Sequence, residues 1–229
     1  MAKGIPMNLK EYSDRELLAM SVANVLAGEL KNVLTANDKA TFAVPGGTTP
    51  GPIFDMLSST RLDWSSVRVL LTDERWVPES DGQSNAALVR KRLLTEHAAA
   101  ARFMPFYRDG MTAQEAAEDI APMLEPELPL SVLLLGMGAD MHTASLFPGM
   151  AELEEALDQH APALIAVRPE GQPTERVTLS GRVLQGALAT HLVVFGKEKR
   201  AALERAARLS PKDAPIALVL EDAKVHYAP

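Results

Sequence analysis

The feature that most constrains the fold is a series of short apolar runs, each bounded by glycine, proline or polar residues. Examples are "KATFAV" at 39–44 and "SVLLLG" at 131–136, which are apolar throughout rather than at alternate positions. Runs of this kind are typical of strands that are buried on both faces, as in a parallel sheet. The predicted strands are 39–44, 67–72, 131–136, 163–167, 176–180, 191–196 and 216–220.

Segments with helical periodicity lie between these runs, the first with Ser13 and Glu16 spaced as in a capping box. Strands that alternate with helices predict an α/β fold, here a single doubly wound, mostly parallel sheet with helices on both faces, and one domain over residues 1–229. Ligands of such folds bind where strands end and helices begin, so the residues after each strand bear on function. The predicted helices lie near 13–34, 50–59, 83–99, 112–125, 143–158, 182–190 and 198–209.

The composition is that of an ordinary soluble protein of 229 residues, 47% hydrophobic and 23% charged. The chain has no cysteine, which excludes a disulfide scaffold, a thiolate zinc site and cysteine catalysis. A net charge of −7 without a dense basic cluster argues against nucleic-acid binding. The start has no signal-peptide pattern, and no run of about eighteen apolar residues occurs. We therefore expect a cytoplasmic protein that does not enter a membrane, as a monomer or small homo-oligomer.

Two consecutive glycines follow the first predicted strand, in "PGGTTP" at 45–50. Glycines let the backbone form a concave nest of N–H groups, and the following helix start adds its positive dipole end. Gly46, Gly47 and Thr48 therefore favour a phosphate-binding loop, although a Gly-Gly turn with a threonine cap explains them equally well. No Gly-Lys-Ser/Thr sequence occurs, so a P-loop is not indicated.

Three charged residues follow the second predicted strand, in "TDERWVP". Arg75 could hold an anion through two parallel hydrogen bonds, and Asp73 or Glu74 could orient it or bind a sugar hydroxyl. An internal ion pair in a solvated loop accounts for the same charges. Ser84 and Asn85 open the next helix, where capping is sufficient to explain them.

The third predicted strand leads into "LLLGMGADMHTASLFPG" at 133–149, which combines glycines, an acid and a histidine. Dinucleotide binding is not favoured, because Met141 stands where the fingerprint needs its third glycine and the motif lies mid-chain. His142 falls at the expected start of a helix, where the dipole would keep its ring able to accept a proton, and Asp140 could fix its tautomer. Alternatively, Asp140 caps the helix and His142 has no chemical role.

Two isolated cations lie near later strand ends: Arg176 opens a strand and Lys199 lies at the start of a helix. Each either completes an anion site or is an ordinary solvated charge. The remaining histidines lack metal-ligand spacing, and no nucleophile-elbow signature is present. We therefore predict no metal site and no serine-hydrolase triad.

With these motifs in their order, the chain resembles the 6-phosphogluconolactonase family, within the broader group that includes glucosamine-6-phosphate deaminases. The resemblance spans nearly the whole chain and rests on four blocks, "PGGTTP", "LTDERWVP…SN", "LLLGMGADMHTASLFPG" and "RVTLS…GKEKRAAL". It implies a Rossmann-like fold of the sugar-phosphate isomerase type. It also implies hydrolysis of the sugar-phosphate lactone 6-phosphoglucono-δ-lactone, in the oxidative pentose phosphate pathway, without metal or organic cofactor.

The same resemblance implies that His142 is a general base, oriented by Asp140, which activates water. Backbone N–H groups of residues 136–142, or Arg75, would stabilise the oxyanion. The residues that it implies for holding the phosphate and the sugar are Gly46, Gly47, Thr48, Asp73, Arg75, Gly138, Arg176 and Lys199.

Two positions depart from the family pattern. Pro45 replaces a common serine and so lacks a hydroxyl and an N–H, and Met141 replaces a common glycine. If position 141 has positive φ, methionine costs about 1–2 kcal/mol there. Deaminases carry a glutamate where this chain has Phe147, which makes deamination the weaker alternative. A non-catalytic sugar-phosphate-binding protein is the alternative from another class.

Overall fold

A seven-stranded parallel sheet forms the centre of the fold, in a computed structural model that describes residues 5–229. The strands are β1 (Asn8–Glu11), β2 (Ala40–Val44), β3 (Val67–Leu71), β4 (Asp73–Arg75), β5 (Arg102–Met104), β6 (Val132–Gly136), β7 (Leu164–Val167), β8 (Arg176–Leu179), β9 (Thr190–Phe195) and β10 (Lys224–Ala228).

The central sheet has the order β1-β10-β9-β6-β2-β3-β5, with every neighbouring pair parallel. All five residues of β2 are buried, and because successive side chains point to opposite faces, both faces of the sheet are covered. The helices are α1 (Arg15–Ala36), α2 (Gly51–Ser58), α3 (Asn85–Arg92), α4 (Ala113–Leu124), α5 (Leu153–Ala156), α6 (Gly181–Gln185) and α7 (Lys197–Ala206). The predicted fold class, a mostly parallel doubly wound α/β fold, is confirmed.

The strand order reverses between β2 and β6. From β2 the chain continues outward through β3 and β5, whereas from β6 it continues in the other direction through β9 and β10. A crevice forms at such a point, because the loops from the two strands leave toward opposite faces. The glycine loop after β2 and the histidine segment after β6 therefore meet at the same edge of the sheet.

A second, smaller sheet corrects the prediction of a single one. Strand β8, predicted as 176–180, pairs antiparallel with β4 on one side and, on the other, with β7, predicted as 163–167. The reason lies at Thr72, a single residue between β3 and β4, whose carbonyl accepts the N–H of Leu179. The chain leaves the central sheet at Thr72, so the three charged residues that follow form the separate strand β4.

The prediction of a strand at 216–220 is wrong. Residues Pro215–Leu218 form a 3-10 helix, which begins at a proline that has no N–H to donate to a sheet. The last strand is instead Lys224–Ala228, hydrogen-bonded between β1 and β9. Its lysine and histidine interrupt the apolar run that identifies the other central strands.

The predicted helix at 143–158 is helical only at Leu153–Ala156. Residues 143–146 form a tight turn, in which Thr143 and Leu146 exchange backbone hydrogen bonds and Ala144 has a φ of +48°. The expected helix start at His142 is therefore absent, and with it the dipole effect that was expected to act on the histidine ring.

The first helix is capped by a neighbour of the predicted residue. Oδ1 of Asp14 accepts the N–H of Leu17 at 2.8 Å, and the Ser13 hydroxyl donates to Asp14 instead of to the helix. The capping box predicted from Ser13 and Glu16 is therefore wrong, although the helix begins where expected.

Helix α1 is the one helix within residues 5–229 with the length and mean hydropathy of a membrane span. Its Leu18, Val22, Leu26 and Leu30 side chains are fully buried in the core. Because a core helix of a soluble protein meets the same criterion, α1 is weak evidence of a membrane segment.

Candidate active site

The loop after β2 needs both of its glycines. Gly47 has a φ of +83°, in the left-handed region that glycine adopts without a steric penalty. A Cβ built on Gly46 would lie 1.8 Å from Oδ1 of Asn85, so only glycine fits unless that side chain moves. Pro50 precedes α2 without a side-chain cap, which leaves the first N–H groups of the helix without a side-chain partner at that position.

Glu74 holds the start of α3 in place and does not line the cavity next to the glycine loop. Its carboxylate is fully buried and accepts the N–H groups of Asn85 at 2.7 Å and Ala86 at 2.8 Å, and the Ser84 hydroxyl at 3.0 Å. Burial raises the pKa of the Glu74 carboxyl, against the lowering effect of these hydrogen bonds. Of the two acids considered beside Arg75, only Asp73 therefore faces the cavity.

Arg75 is held by neutral groups. Its Nη1 donates to Oδ1 of Asn85 at 2.6 Å and to the carbonyl of Gln83 at 3.2 Å. No carboxylate in the described part of the chain lies within ion-pair distance of it. The internal ion pair considered for this loop is thus not formed by Arg75, and its charge is available to a ligand.

Arg176 is a buried cation with incomplete partners. Its side chain is 9% exposed, and Nη1 lies 3.9 Å from Oδ2 of Asp73, whose other contacts include the Ser145 hydroxyl at 2.6 Å. Nη2 donates to Gln172 at 2.7 Å, while Nε is buried without a partner. Burial lowers the pKa of the Arg176 guanidinium, and Asp73 acts in the opposite direction. A buried N–H group without a partner is costly, so this position favours an anionic or hydrogen-bond-accepting ligand.

Asp140 and His142 form a hydrogen-bonded pair on the loop after β6. Nδ1 of His142 lies 2.6 Å from Oδ1 of Asp140, which also accepts the backbone N–H of His142 at 3.2 Å. The hydrogen bond with His142 is the main cause that lowers the pKa of the Asp140 carboxyl. An ionised Asp140 requires the proton of the neutral ring to be on Nδ1, which leaves the lone pair on Nε2.

The backbone around this pair is tightly turned. The N–H of Met141 donates to the carbonyl of Gly138, and the N–H of Gly138 donates to the carbonyl of His142, both at 3.0 Å. A Cβ on Gly138 would lie 2.3 Å from both the Asp140 carboxylate and the His142 ring. Position 138 therefore has to be glycine for the two side chains to keep this arrangement. Met141 has a φ of +71°, which meets the condition for the expected cost of about 1–2 kcal/mol.

Phe147 supports the histidine ring from one face. The two ring centroids are 4.2 Å apart with planes inclined by 23°, a stacked arrangement. The guanidinium of Arg176 lies 5.4 Å from the same phenyl centroid. The residue at which the deaminases carry a glutamate is therefore an apolar support for His142 in this chain.

A cavity of about 250 Å³ brings these groups together at the point where the strand order reverses. All of the predicted site residues line it except Asp140, which lies behind His142. Lys199 reaches it from the first turn of α7 and makes no ion pair with another described residue. The predicted residues at the wall are Gly46, Gly47, Thr48, Asp73, Arg75, Gly138, His142, Arg176 and Lys199.

Sequence reasoning missed two polar residues of this site. Asn85, expected only to open a helix, lines the cavity and holds Arg75, while Ser84 is the cap of α3. Ser145 connects Asp73 with Arg176 from the turn after His142. The sequence "SN" at 84–85 follows the charged sequence "DER" by ten positions, and this spacing could have indicated that Asn85 belongs to the site. No neighbouring sequence feature indicated Ser145. Over residues 5–229, no group of three His, Cys, Asp or Glu side chains has the spacing of a metal site.

Fold and cavity together define a doubly wound α/β protein with a cation-lined pocket beside a histidine–aspartate pair. The chain matches the family model of glucosamine-6-phosphate isomerases/6-phosphogluconolactonase over residues 13–227. It is 38% identical to a 6-phosphogluconolactonase of Mesorhizobium japonicum, over 99% of this chain and 97% of the relative. It is 40% identical to one of Rhizobium meliloti, over 97% of this chain and 99% of the relative.

A solved structure shows the same similarity in three dimensions. The crystal structure of a 6-phosphogluconolactonase from Shewanella baltica has a TM-score of 0.95 and 33% identity to this chain, and the match covers 99% of this chain and 100% of that one. The chain therefore belongs to the glucosamine-6-phosphate isomerase/6-phosphogluconolactonase family.

Proposed function

We propose that the protein hydrolyses 6-phosphoglucono-δ-lactone to 6-phosphogluconate, a step of the oxidative pentose phosphate pathway. The observation that carries the proposal is one cavity whose wall has three cations, Arg75, Arg176 and Lys199, together with a histidine that is hydrogen-bonded to an aspartate. The names of the relatives with 38% and 40% identity support the choice of this substrate.

The phosphate of the substrate binds at the glycine loop. The N–H groups of Gly46 and Gly47 and the Thr48 hydroxyl surround one side of it, because a nest of N–H groups before a helix start attracts anions. Arg75, without a competing carboxylate, and Arg176, with its unpartnered Nε, supply charge from the other side. This need for a dianionic ligand explains why an acidic protein gathers cations at one cavity.

His142 acts as the general base. Because Asp140 accepts the Nδ1 proton, Nε2 removes a proton from water while the water oxygen bonds to the lactone carbonyl carbon. The tetrahedral oxyanion then collapses, the bond from that carbon to the ring oxygen breaks, and the proton on Nε2 passes to the ring oxygen as the new hydroxyl. A lactone is an activated ester, so a positioned water and one base suffice without a metal or an organic cofactor.

The oxyanion needs hydrogen-bond donors that are still free. The N–H groups of Gly138, Met141 and His142 are already used within the loop. The remaining N–H groups of this loop are those of Met137 and Ala139, to which we assign this role.

The decisive experiment generates the lactone in situ and follows acid release above the spontaneous rate. We expect His142→Ala to lower kcat by about 10²–10⁴-fold, as removal of a general base does, while binding of 6-phosphogluconate is retained. His160→Ala is the matched control, because His160 also lies two residues after an aspartate, Asp158, but is 95% exposed on the surface.

The possible results distinguish the candidate functions. No acceleration by the wild-type protein would favour a sugar-phosphate-binding protein, and ammonia release from glucosamine 6-phosphate would favour a deaminase. Equal lactone hydrolysis by wild type and His142→Ala would contradict the role of His142 while leaving the activity in place.

We further propose that residues 1–229 act as one domain, as a monomer or small homo-oligomer in the cytoplasm. A continuous hydrophobic core that runs from Tyr12 to Ala228 supports the single domain. Analytical ultracentrifugation of the purified protein measures the state of assembly, and a mass above that of a small oligomer would contradict the proposal.

A further inference from the structure

Asn85 uses both ends of its side-chain amide within the site. The side chain is nearly fully buried, with Oδ1 accepting from Nη1 of Arg75 at 2.6 Å and Nδ2 donating to the carbonyl of Asp73 at 2.8 Å. Only one orientation of the amide satisfies both partners, since the carbonyl can only accept and the guanidinium can only donate. The guanidinium of Arg75 is therefore held from a fixed point on α3.

The same amide lies directly against the glycine loop. A Cβ on Gly46 would meet Oδ1, Cγ and Nδ2 of Asn85 at 1.8, 2.1 and 2.6 Å, and these are the three nearest atoms to it. The backbone of Gly46 therefore packs directly against the side-chain amide of Asn85. Asn85 is in contact with two groups that belong to different strand ends, the loop after β2 and the arginine of β4.

We propose that Asn85 is a positioning residue that sets the distance between the Gly46 loop and the Arg75 guanidinium, and thereby gives the site its affinity for a phosphate group. The inference rests on the proposed function, in which a phosphate is held between these two groups. Asn85 touches both of them, whereas its role in the reaction is exerted through Arg75 and the loop.

The neutrality of the amide is the physical reason for an asparagine here. A carboxylate at this position would hold Arg75 equally close but would neutralise its charge and repel an incoming phosphate. The amide orients the guanidinium of Arg75 without neutralising its positive charge, which can then attract the phosphate. An arginine that is already oriented also loses less side-chain entropy when it binds.

The test compares kcat with KM in Asn85→Ala and Asn85→Asp, and measures competitive inhibition by 6-phosphogluconate. We expect Asn85→Ala to raise both KM and the inhibition constant by about 10- to 100-fold, the usual effect of losing a hydrogen bond to a charged group, with kcat within about threefold of wild type. Asn85→Asp keeps the volume of the side chain and raises KM further, because its carboxylate pairs with Arg75. This second variant also keeps the test decisive if Asn85→Ala fails to fold.

Ser84→Ala is the matched control for a merely structural effect. The Ser84 side chain caps α3 and donates a hydrogen bond to Glu74, but it makes no hydrogen bond to Arg75. We expect it to lower thermal stability while KM stays within about twofold of wild type. An equal rise of KM in Ser84→Ala, or a loss of kcat in Asn85→Ala at unchanged KM, would overturn the proposal.

A double-mutant cycle with Gly46→Ala tests the contact itself. Gly46→Ala alone displaces the amide and should raise KM about as much as Asn85→Ala does. In the Asn85→Ala background the new methyl group has room, so the added effect should fall below about threefold. Additive effects would show that the two positions act independently and contradict the proposal. Failure of the wild-type protein to hydrolyse the lactone would refute the proposed function instead, so the two failures are distinguishable.

Discussion

At the scale of single residues, backbone conformation at the histidine loop decides what the site can be. Gly138 leaves room for the Asp140–His142 pair, and a Cβ there would overlap both side chains. Met141, between the acid and the histidine, has a φ of +71° that a side chain makes unfavourable. The loop therefore holds the pair in place with one residue in a conformation that its own side chain opposes.

Glycine should be more favourable than alanine at position 141, the reverse of an ordinary site. We expect Met141→Gly to have a free energy of unfolding about 1 kcal/mol above that of Met141→Ala, because both variants lose the same packing but only glycine relieves the left-handed backbone. Urea unfolding of the two variants measures the difference. The same pair of substitutions at Met20, in the second turn of α1, is the control, where alanine should be the more stable. Equal stability of the two variants at 141 would contradict the strain.

At the scale of elements, a hydrogen-bonded chain of mostly buried side chains connects α1 to strands β9 and β10 of the central sheet. It runs from the Tyr12 hydroxyl to His226 at 2.9 Å, on to His191 at 3.0 Å and to Glu29 of α1 at 2.6 Å. Lys224 also binds Glu29, and Lys10 lies over the Tyr12 ring. Burial is the main cause that lowers the pKa of His226 from 6.5 to about 4, with the charges of His191 and the two lysines adding to it.

This chain makes the stability of the fold depend on pH. The unfolded state binds a proton at His226 near pH 6.5, whereas the folded state does so only near pH 4, so stability falls as pH decreases through this window. The loss for His226 is of the order of 3 kcal/mol. Hydrogen bonds from His191 and Lys224 outweigh burial and lower the pKa of Glu29 from 4.5 to about 2, which continues the loss below pH 4.5. Unfolding in urea from pH 7 to pH 4 measures the slope.

His226→Gln is the variant for this measurement, because it keeps a polar side chain between Tyr12 and His191 but does not titrate. We expect a flatter dependence between pH 6.5 and pH 4 than in the wild type. His97→Gln, a histidine of the short 3-10 helix outside this chain, should leave the dependence unchanged. A wild-type slope in His226→Gln would contradict the assignment.

At the scale of the whole molecule, the cavity collects charge from distant parts of the chain. Arg75 comes from β4, Arg176 from β8 and Lys199 from α7, and they converge on the loop after β2. Among the described residues, Arg75 and Lys199 form no ion pair, and Nη1 of Arg176 lies 3.9 Å from Oδ2 of Asp73. A bound dianion therefore offsets the electrostatic repulsion among these three cations, which is present in the protein without ligand.

We expect the product 6-phosphogluconate to stabilise the protein against heat. At a concentration about 100 times its dissociation constant, binding adds about 2.7 kcal/mol to the free energy of unfolding. Differential scanning fluorimetry with and without the ligand measures the shift in Tm. Unphosphorylated gluconate is the control and should give a much smaller shift, while equal shifts would argue against recognition through the phosphate.

Local sequence predicted those parts that depend on local physics. Apolar runs identified β2, β3, β6 and β9, because strands of a covered parallel sheet must be apolar on both faces. Glycines, charges and the histidine placed directly after these strands pointed to the residues that now line one cavity. Their catalytic and binding roles stay predictions, which the variants of His142 and Asn85 test.

The tertiary structure alone decided what depends on contacts between distant residues. Ser145 donates hydrogen bonds to Asp73 through its hydroxyl and to the Thr178 hydroxyl through its backbone N–H. The chain therefore turns tightly after His142, where helical periodicity predicted a helix. Strands β7 and β8 lie outside the central sheet because β8 pairs with β4 and β7 pairs with β8. Asn85 gained its contacts to Arg75 and Gly46 from the meeting of two strand ends. Periodicity and residue type are encoded within a few neighbouring positions, whereas these hydrogen bonds join residues that come together only when the sheet has formed.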